Sequence, residues 1–212
     1  MSDSRASNTR KKTRIQKQNE EKILESALDV FSTHGFRGST IDQIADLSGM
    51  SKPNLLYYFN SKESIIQALI DRLLGIWLNP LRKINPEGDP LIELQTYIRR
   101  KLEMSRDFPR ESRLFANEIL QGAPRIINEL SDLKKLVDEK AKVIEAWSKS
   151  GKIADCDPYH LIFSIWATTQ HYADFDAQVR AVLGTKEAVT KRFEDAEVFL
   201  NQLYVAGLDP NR

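Results

Sequence analysis

Apolar residues recur every three to four positions along almost the whole chain, which is the spacing of amphipathic helices. Pro and Gly residues interrupt this pattern at intervals, and no segment between the interruptions shows the alternation typical of a β-strand. The pattern therefore predicts an all-α protein. Counting from one interruption to the next gives nine helices, three in a small N-terminal group and six in a larger C-terminal group.

The segment between residues 40 and 62 predicts a helix-turn-helix. Thr40, with a Gln three positions later, has the spacing of a capping box and begins a short helix. Gly49 can adopt the positive φ that a sharp turn requires, and Ser51 can cap the second helix. Pro53 lies in the first turn of that helix, where its missing N–H is tolerated. The two helices thus form a compact pair with one apolar side.

The other side of the second helix is polar and aromatic, a composition suited to phosphates and base edges. Lys62 lies next to the N-cap of the following helix, where a cation and free N–H groups can meet a phosphate. An alternative is a helical hairpin buried in an all-α core. The residues predicted to contact or position double-stranded DNA are Thr40, Ser51, Lys52, Pro53, Asn54, Tyr57, Tyr58 and Lys62.

Positive charge is concentrated near the N-terminus, although the whole chain has a net charge of only +1. Up to Lys62 there are ten Lys and Arg residues against seven Asp and Glu, which gives +3. Residues 1–18 are basic and poor in apolar side chains, so we expect them to be disordered in isolation. They either follow the DNA backbone or serve as a solubilising tail. The basic residues of this arm are Arg5, Arg10, Lys11, Lys12, Arg14 and Lys17.

Three segments of the N-terminal region, ALDVFSTHGFRGSTIDQIA, SGMSKPNL and YYFNSKES, resemble the DNA-binding domain of the TetR family of transcriptional regulators. The resemblance implies a helix-turn-helix domain over residues 19–65 and a ligand-binding and dimerisation domain over residues 66–212. One residue departs from the family pattern: Leu56 stands where many members have an aromatic residue. Contacts made by that aromatic residue are therefore not transferred to this chain.

The segment YHLIFSIWATTQHYADF has apolar residues around much of its helical circumference. A helix of this kind is buried on several sides, and we expect one side to face a second copy of the chain. A homodimer would also present two DNA-binding domains to two symmetric half-sites. The alternative is an ordinary core stripe within one subunit. The predicted interface residues are Ile162, Phe193, Phe199 and Leu203.

Trp166, Gln170 and Asp174 succeed one another at intervals of four, so they project from one face of this helix. Buried amides and acids need partners, and a bound small molecule can supply them. Alternatively, Gln170 and Asp174 satisfy backbone or interface groups. Trp77 and Asn117 lie on helices expected to surround the same space.

The segments IWLNPL, LEMSRDFPRESRLF, EILQGAP and LIFSIWATTQHYADF resemble the pyrimidine-utilisation regulators of the TetR family. This resemblance implies that the effector is uracil or thymine and that it lies between Trp77 and Trp166. The Gln170 carboxamide offers one donor and one acceptor to an imide edge. Asn117 and Asp174 are further implied contacts.

Other function classes find little support. The three histidines lack zinc-ligand spacing, and neither a P-loop nor a nucleophile elbow is present, so the sequence predicts no enzyme, cofactor or metal site. The single Cys156 and the lack of a long apolar segment favour a cytoplasmic protein that does not enter a membrane. Two alternatives remain: a TetR-type regulator of another small or lipophilic effector, and a nucleoid-associated DNA-binding protein that needs no effector.

Overall fold

The computed structural model describes residues 13–184 and 189–211, and for residues 127–129 it describes the backbone only. This part of the chain forms eleven helices and no strand, which confirms the all-α prediction. None of these helices is both long and apolar enough to cross a membrane. The helices are α1 (Arg14–His34), α2 (Ile41–Ser48), α3 (Lys52–Tyr58), α4 (Lys62–Trp77), α5 (Asn79–Arg82), α6 (Pro90–Asp107), α7 (Pro109–Leu120), α8 (Ile127–Lys149), α9 (Pro158–Asp174), α10 (Asp176–Leu183) and α11 (Val189–Leu208).

The backbone divides into two compact units, of which the first ends at Leu69 and the second begins at Ile70. The division falls within α4, the helix that also contains the predicted domain boundary at residue 65. In the first unit, α1, α2 and α3 enclose a small core of side chains with almost no exposure. Each such side chain contributes about 1.5–3 kcal/mol by its removal from water. The largest of them are Ile23, Phe31, Ile44 and Leu55, together with Ile65 and Ile66 from the first part of α4.

The first helix begins at Arg14, before the predicted end of the basic arm at residue 18. Thr13 caps the helix: its hydroxyl accepts from the Gln16 N–H at 3.2 Å, and the Gln16 side chain accepts from the Thr13 N–H at 2.9 Å. This reciprocal capping box starts the helix at Arg14, so Arg14 and Lys17 are helical despite the polar composition of the segment. Arg5, Arg10, Lys11 and Lys12 lie outside the described residues.

In the second unit, α6 packs against α9 and α11 and forms the centre of the core. The prediction of nine helices is wrong because the described residues contain two additional short helices, α5 after α4 and α10 after α9. Pro80 lies in the first turn of the short helix α5, where proline is compatible with helix, instead of only ending the preceding helix. Phe175, with φ −114° and ψ 29°, leaves helical geometry and separates α9 from α10 without any Pro or Gly.

Candidate DNA-binding surface and effector site

The turn between α2 and α3 has the geometry that its residue types predict. Thr40 caps α2 and accepts from the Gln43 N–H at 3.2 Å, and the Ser51 hydroxyl accepts from the Asn54 N–H at 3.4 Å at the start of α3. Gly49 ends α2 in the left-handed conformation with φ 64°, and its N–H donates to two carbonyls of the last turn. The hydroxyls of Thr40 and Ser51 are therefore engaged as helix caps.

The outer face of α3 presents four of the residues predicted to contact DNA. Lys52, Pro53 and Asn54 are exposed, and the side chain of Tyr57 is 71% exposed. Lys52 pairs with Asp42 at 3.0 Å, but both side chains are largely in water. An exposed pair of this kind stabilises a protein by less than about 1 kcal/mol, so the Lys52 ammonium can exchange Asp42 for a phosphate.

Tyr58 and Lys62 are turned towards the protein. The Tyr58 hydroxyl accepts from the Asn19 side chain at 2.8 Å, which joins α3 to α1. The Lys62 ammonium donates to the carbonyls of Phe36 and Ser39, both at 2.7 Å, and lies 4.2 Å from the centre of the Phe36 ring. It therefore fixes the start of α4 to the loop between α1 and α2. Lys62 thus has a structural role in the protein without DNA, and the phosphate contact that we predicted for it stays a prediction.

The second unit contains two cavities that share four lining residues. The larger one, of about 510 Å³, is here called the outer cleft, and the smaller one, of about 30 Å³, the inner chamber. Asn117 and Asp174 line the outer cleft, Trp77 lines the inner chamber, and Trp166 and Gln170 line both. The structure thus brings all five predicted effector contacts to one region. The shared lining residues are Phe115, Leu133, Trp166 and Gln170.

Two polar side chains of α6 also line the inner chamber, and the sequence analysis missed both. The Tyr97 hydroxyl accepts from the Trp166 indole N–H at 2.6 Å, and burial raises the pKa of this hydroxyl, which keeps its own proton. Lys101 is only 2% exposed, and its ammonium lies 4.7 Å from the centre of the Trp77 ring. Burial lowers the pKa of Lys101 to about 7, although the charge of Asp174 opposes this shift.

The signal for Lys101 was present in the sequence. Lys101 follows Tyr97 by four positions and Ile98 by three, so it lies on the apolar stripe of α6. A lysine on the buried side of a helix is rare unless it is paired or has a function. The position of Lys101 on the apolar stripe therefore made it a candidate site residue in the sequence.

The indole N–H of Trp77, another residue that lines the inner chamber, is buried without a partner. Trp77 is 5% exposed, and among the described residues its Nε1 has no hydrogen-bond acceptor. An unpaired buried donor of this kind costs about 1–3 kcal/mol. A ligand with an exposed oxygen can remove that cost.

Asp174 is held at the edge of the outer cleft by α7. Its carboxylate accepts from the Ser112 hydroxyl at 2.5 Å, and Arg113 of the same helix donates to the Ala173 carbonyl at 3.5 Å. Burial raises the pKa of Asp174, while the hydrogen bond from Ser112 and the charges of Lys101 and Arg113 lower it. The acid is thus partly satisfied without a ligand.

The predicted dimer residues fall into two groups. Phe199 and Leu203 are 59% and 51% exposed on α11, where they are available to a second chain. Ile162 and Phe193 are 1% and 8% exposed and belong to the core of the second unit, so they have little surface left to bury. This corrects their assignment to the interface. On α9 the neighbouring Phe163 is 49% exposed, and sequence periodicity alone did not separate it from Ile162.

Sequence comparison covers nearly the whole chain. Residues 23–69 match the family model described as "Bacterial regulatory proteins, tetR family", and residues 70–211 match the one described as "YcdC-like protein, C-terminal region". The HTH-type transcriptional regulator RutR of Escherichia coli K12 is 52% identical over 195 residues, which make up 92% of this chain and 89% of that protein.

Solved structures share the fold at low sequence identity. A TetR-like transcriptional regulator from Rhodococcus sp. RHA1 has a TM-score of 0.67 with 22% identity and covers 93% of this chain and 98% of its own. AibR in complex with isovaleryl coenzyme A and operator DNA has a TM-score of 0.66 with 18% identity, covering 87% of this chain and 97% of its own. RutR and the family of the matched N-terminal model are transcriptional regulators, which confirms that the chain is not an enzyme. The chain therefore belongs to the TetR family of bacterial transcriptional regulators.

Proposed function

We propose that this regulator is a homodimeric repressor that binds a palindromic operator and is released from it by uracil or thymine. The observation that carries the effector assignment is the inner chamber, where two tryptophans, a carboxamide and an unpaired indole N–H line one small cavity. The high identity to RutR and the resemblance to pyrimidine-utilisation regulators support the same class of effector.

The chemistry of a dioxopyrimidine matches these groups. Its flat ring can pack on Trp77 and Trp166, and its adjacent N–H and carbonyl can pair with the donor and acceptor of Gln170. The Trp77 N–H would gain the acceptor that it lacks. A chamber of about 30 Å³ holds about two water molecules, so the ring would also occupy the adjoining part of the outer cleft. In that part of the cleft, Asn117 and Asp174 would lie next to the ring.

On the DNA side, the exposed face of α3 is the proposed reader. Lys52 would contact a phosphate, while Asn54 and Tyr57 would contact base edges or the backbone. Thr40, Ser51 and Pro53 would position this helix, and Tyr58 would anchor it through Asn19. Two such helices are supplied by a dimer, for which the exposed residues Phe163, Phe199 and Leu203 of α9 and α11 provide an apolar surface.

Release from the operator would pass through α4, which runs from Lys62 to Trp77. A ligand changes DNA affinity only if it binds one conformation of the protein more tightly than another. An effector packed on Trp77 would contact the last residue of this helix directly. The effector would thus favour a position of α4 that suits the operator less well.

Calorimetry with uracil and thymine, together with operator titrations, tests the proposal. Gln170→Leu keeps the approximate bulk of the side chain and removes both hydrogen-bonding groups, so it is expected to weaken uracil binding about tenfold or more. The exposed Gln178 on α10 provides the control Gln178→Leu, which should bind uracil normally. Wild-type protein that binds neither pyrimidine would reject the effector assignment and leave the regulator assignment intact.

The volume of the outer cleft supports a second candidate. At about 510 Å³, with Phe115, Ile119, Leu120 and Phe175 in its lining, this cleft could hold a larger and mostly apolar effector. A thermal-shift screen with pyrimidines, purines and acyl compounds separates the two candidates, because a ligand of the native state raises the melting temperature. Stabilisation by an acyl compound alone would favour the second.

A further inference from the structure

Lys101 is a buried cation in contact with an aromatic ring. It is 2% exposed, its ammonium lies over the face of the Trp77 ring, and the charge of Asp174 acts on it. A buried ammonium is costly unless it is paired. Beside it, the Trp77 N–H lacks an acceptor. The inner chamber is therefore lined by a buried cation and by an indole ring whose N–H is unpaired.

The surrounding helices supply little compensation. The chamber is lined by uncharged side chains of α4, α5, α7 and α8: Trp77, Leu81, Phe115 and Leu133. On α6 itself, the Tyr97 hydroxyl is engaged by Trp166. On α9, Asp174 acts on Lys101 through its charge, but it accepts its hydrogen bond from Ser112 and is also influenced by Arg113 and His171. The remaining need of the chamber is for an acceptor oxygen.

We propose that Lys101, together with the Trp77 N–H, binds an exocyclic oxygen of the effector and thereby selects oxo-pyrimidines over amino-pyrimidines. The inference rests on the proposed function and adds the residue that sets its specificity. A carbonyl oxygen would accept from both groups once the ammonium, which lies over the face of the Trp77 ring, turns towards the N–H edge of that ring. An amino group in the same place would direct its own hydrogens at an ammonium and leave the Trp77 N–H unpaired. Cytosine would therefore be rejected, by lost bonds and by repulsion, in every orientation that places its amino group here, and only its C2 oxygen could take this place.

The same arrangement gives effector binding a pH dependence. Burial lowers the pKa of Lys101 to about 7, so the unliganded protein loses this charge as the pH rises through neutrality. Since the oxygen interacts best with the ammonium, uracil affinity is expected to be highest below about pH 7 and to fall above it. The other charged or polar groups around the chamber are Asp174, Tyr97, Arg113 and His171. Any influence of theirs on the pH profile would persist when Lys101 is replaced, whereas the Lys101 contribution would vanish.

Calorimetry of the full-length protein with uracil and with cytosine, from about pH 6 to about pH 8.5, tests the assignment. Lys101→Met keeps the length of the side chain and removes the charge. It is expected to weaken uracil binding by about tenfold to a hundredfold, to reduce the preference for uracil over cytosine, and to flatten the pH profile. Lys101→Gln, which keeps a donor, should fall between wild type and Lys101→Met. Lys142→Met, at an exposed position on α8, is the control.

The outcomes separate the two proposals. If wild type binds uracil and Lys101→Met retains its affinity, its preference over cytosine and its pH profile, the Lys101 assignment is overturned while the pyrimidine assignment stands. If wild type does not bind uracil, both are overturned. Circular dichroism melts check that each variant is folded. If Lys101→Met does not fold, Lys101→Gln takes its place in the comparison, and a wild-type protein without preference for uracil over cytosine would by itself overturn the Lys101 assignment.

Discussion

The buried charge of Lys101 is expected to destabilise the unliganded protein, and replacing it should therefore raise the free energy of unfolding. A pKa lowered from 10.5 to about 7 corresponds to about 5 kcal/mol, since each pKa unit is worth about 1.36 kcal/mol. That figure is an upper limit, because relaxation of the chain or entry of water reduces the free-energy penalty of the buried ammonium. Replacement of buried charges by apolar residues typically gains about 1–4 kcal/mol, and we expect Lys101→Met to fall in this range at neutral pH.

The pH dependence follows from the direction of the pKa shift. Between about pH 7 and pH 10.5 the unfolded chain keeps the Lys101 proton and the folded chain releases it, so the wild-type free energy of unfolding rises with pH over this window. Below the folded-state pKa, both states carry the proton and the full penalty is present. Lys101→Met has no such penalty. Its advantage over wild type should thus be largest near pH 6 to 7 and should narrow towards about pH 9.

Urea unfolding followed by circular dichroism, at one fixed protein concentration and without ligand, measures this advantage. The exposed lysine variant Lys142→Met should differ from wild type by less than about 0.5 kcal/mol at every pH. A difference between Lys101→Met and wild type that is independent of pH would refute the reasoning. So would a variant less stable than wild type at pH 6, because the ammonium would then have a partner in the folded protein.

Two further predictions concern the DNA-binding unit and the dimer. Lys62→Ala removes two charge-assisted hydrogen bonds to backbone carbonyls and should lower the free energy of unfolding by about 1–3 kcal/mol in thermal unfolding. Lys52→Ala should leave that stability nearly unchanged and should reduce the salt slope of operator binding by about 1. The opposite pattern would support a phosphate contact at Lys62. Phe199→Asp should produce monomers in sedimentation experiments and weakened operator binding in titrations. Ile92→Asp, at an exposed site on α6, is the control and should do neither. An intact Phe199→Asp dimer would place the interface elsewhere.

Local signals in the sequence predicted the elements that depend on neighbouring residues. The caps at Thr40 and Ser51 and the turn at Gly49 were predictable because each involves residues within four positions. The break at Phe175 was not, since it depends on packing and carries no Pro or Gly. The early start of α1 was missed because the prediction for residues 1–18 depended on their charge and polar composition, whereas the helix begins at a capping box at Thr13.

Roles that depend on distant residues were harder to predict. The acceptors of Lys62 lie 26 and 23 positions away, so its position next to a helix N-terminus suggested a phosphate where the fold supplies carbonyls. Periodicity showed that α9 and α11 are apolar on several sides, but not which side faces the core, and Ile162 and Phe193 were assigned to the wrong one. The effector residues were brought together because the spacing of Trp166, Gln170 and Asp174 is itself local.

The three tryptophans of the chain have indole N–H groups in three different states. Trp147 donates to the Pro86 carbonyl at 3.0 Å, Trp166 donates to Tyr97, and Trp77 has no acceptor among the described residues. Since the other two donors are already bonded, Trp166 can offer a ligand only its ring, and Trp77 alone can also offer a proton. The indole N–H signals of a proton NMR spectrum thus form a built-in reporter, with Trp147 as the internal reference and Trp77 as the group that senses whether the chamber holds an acceptor.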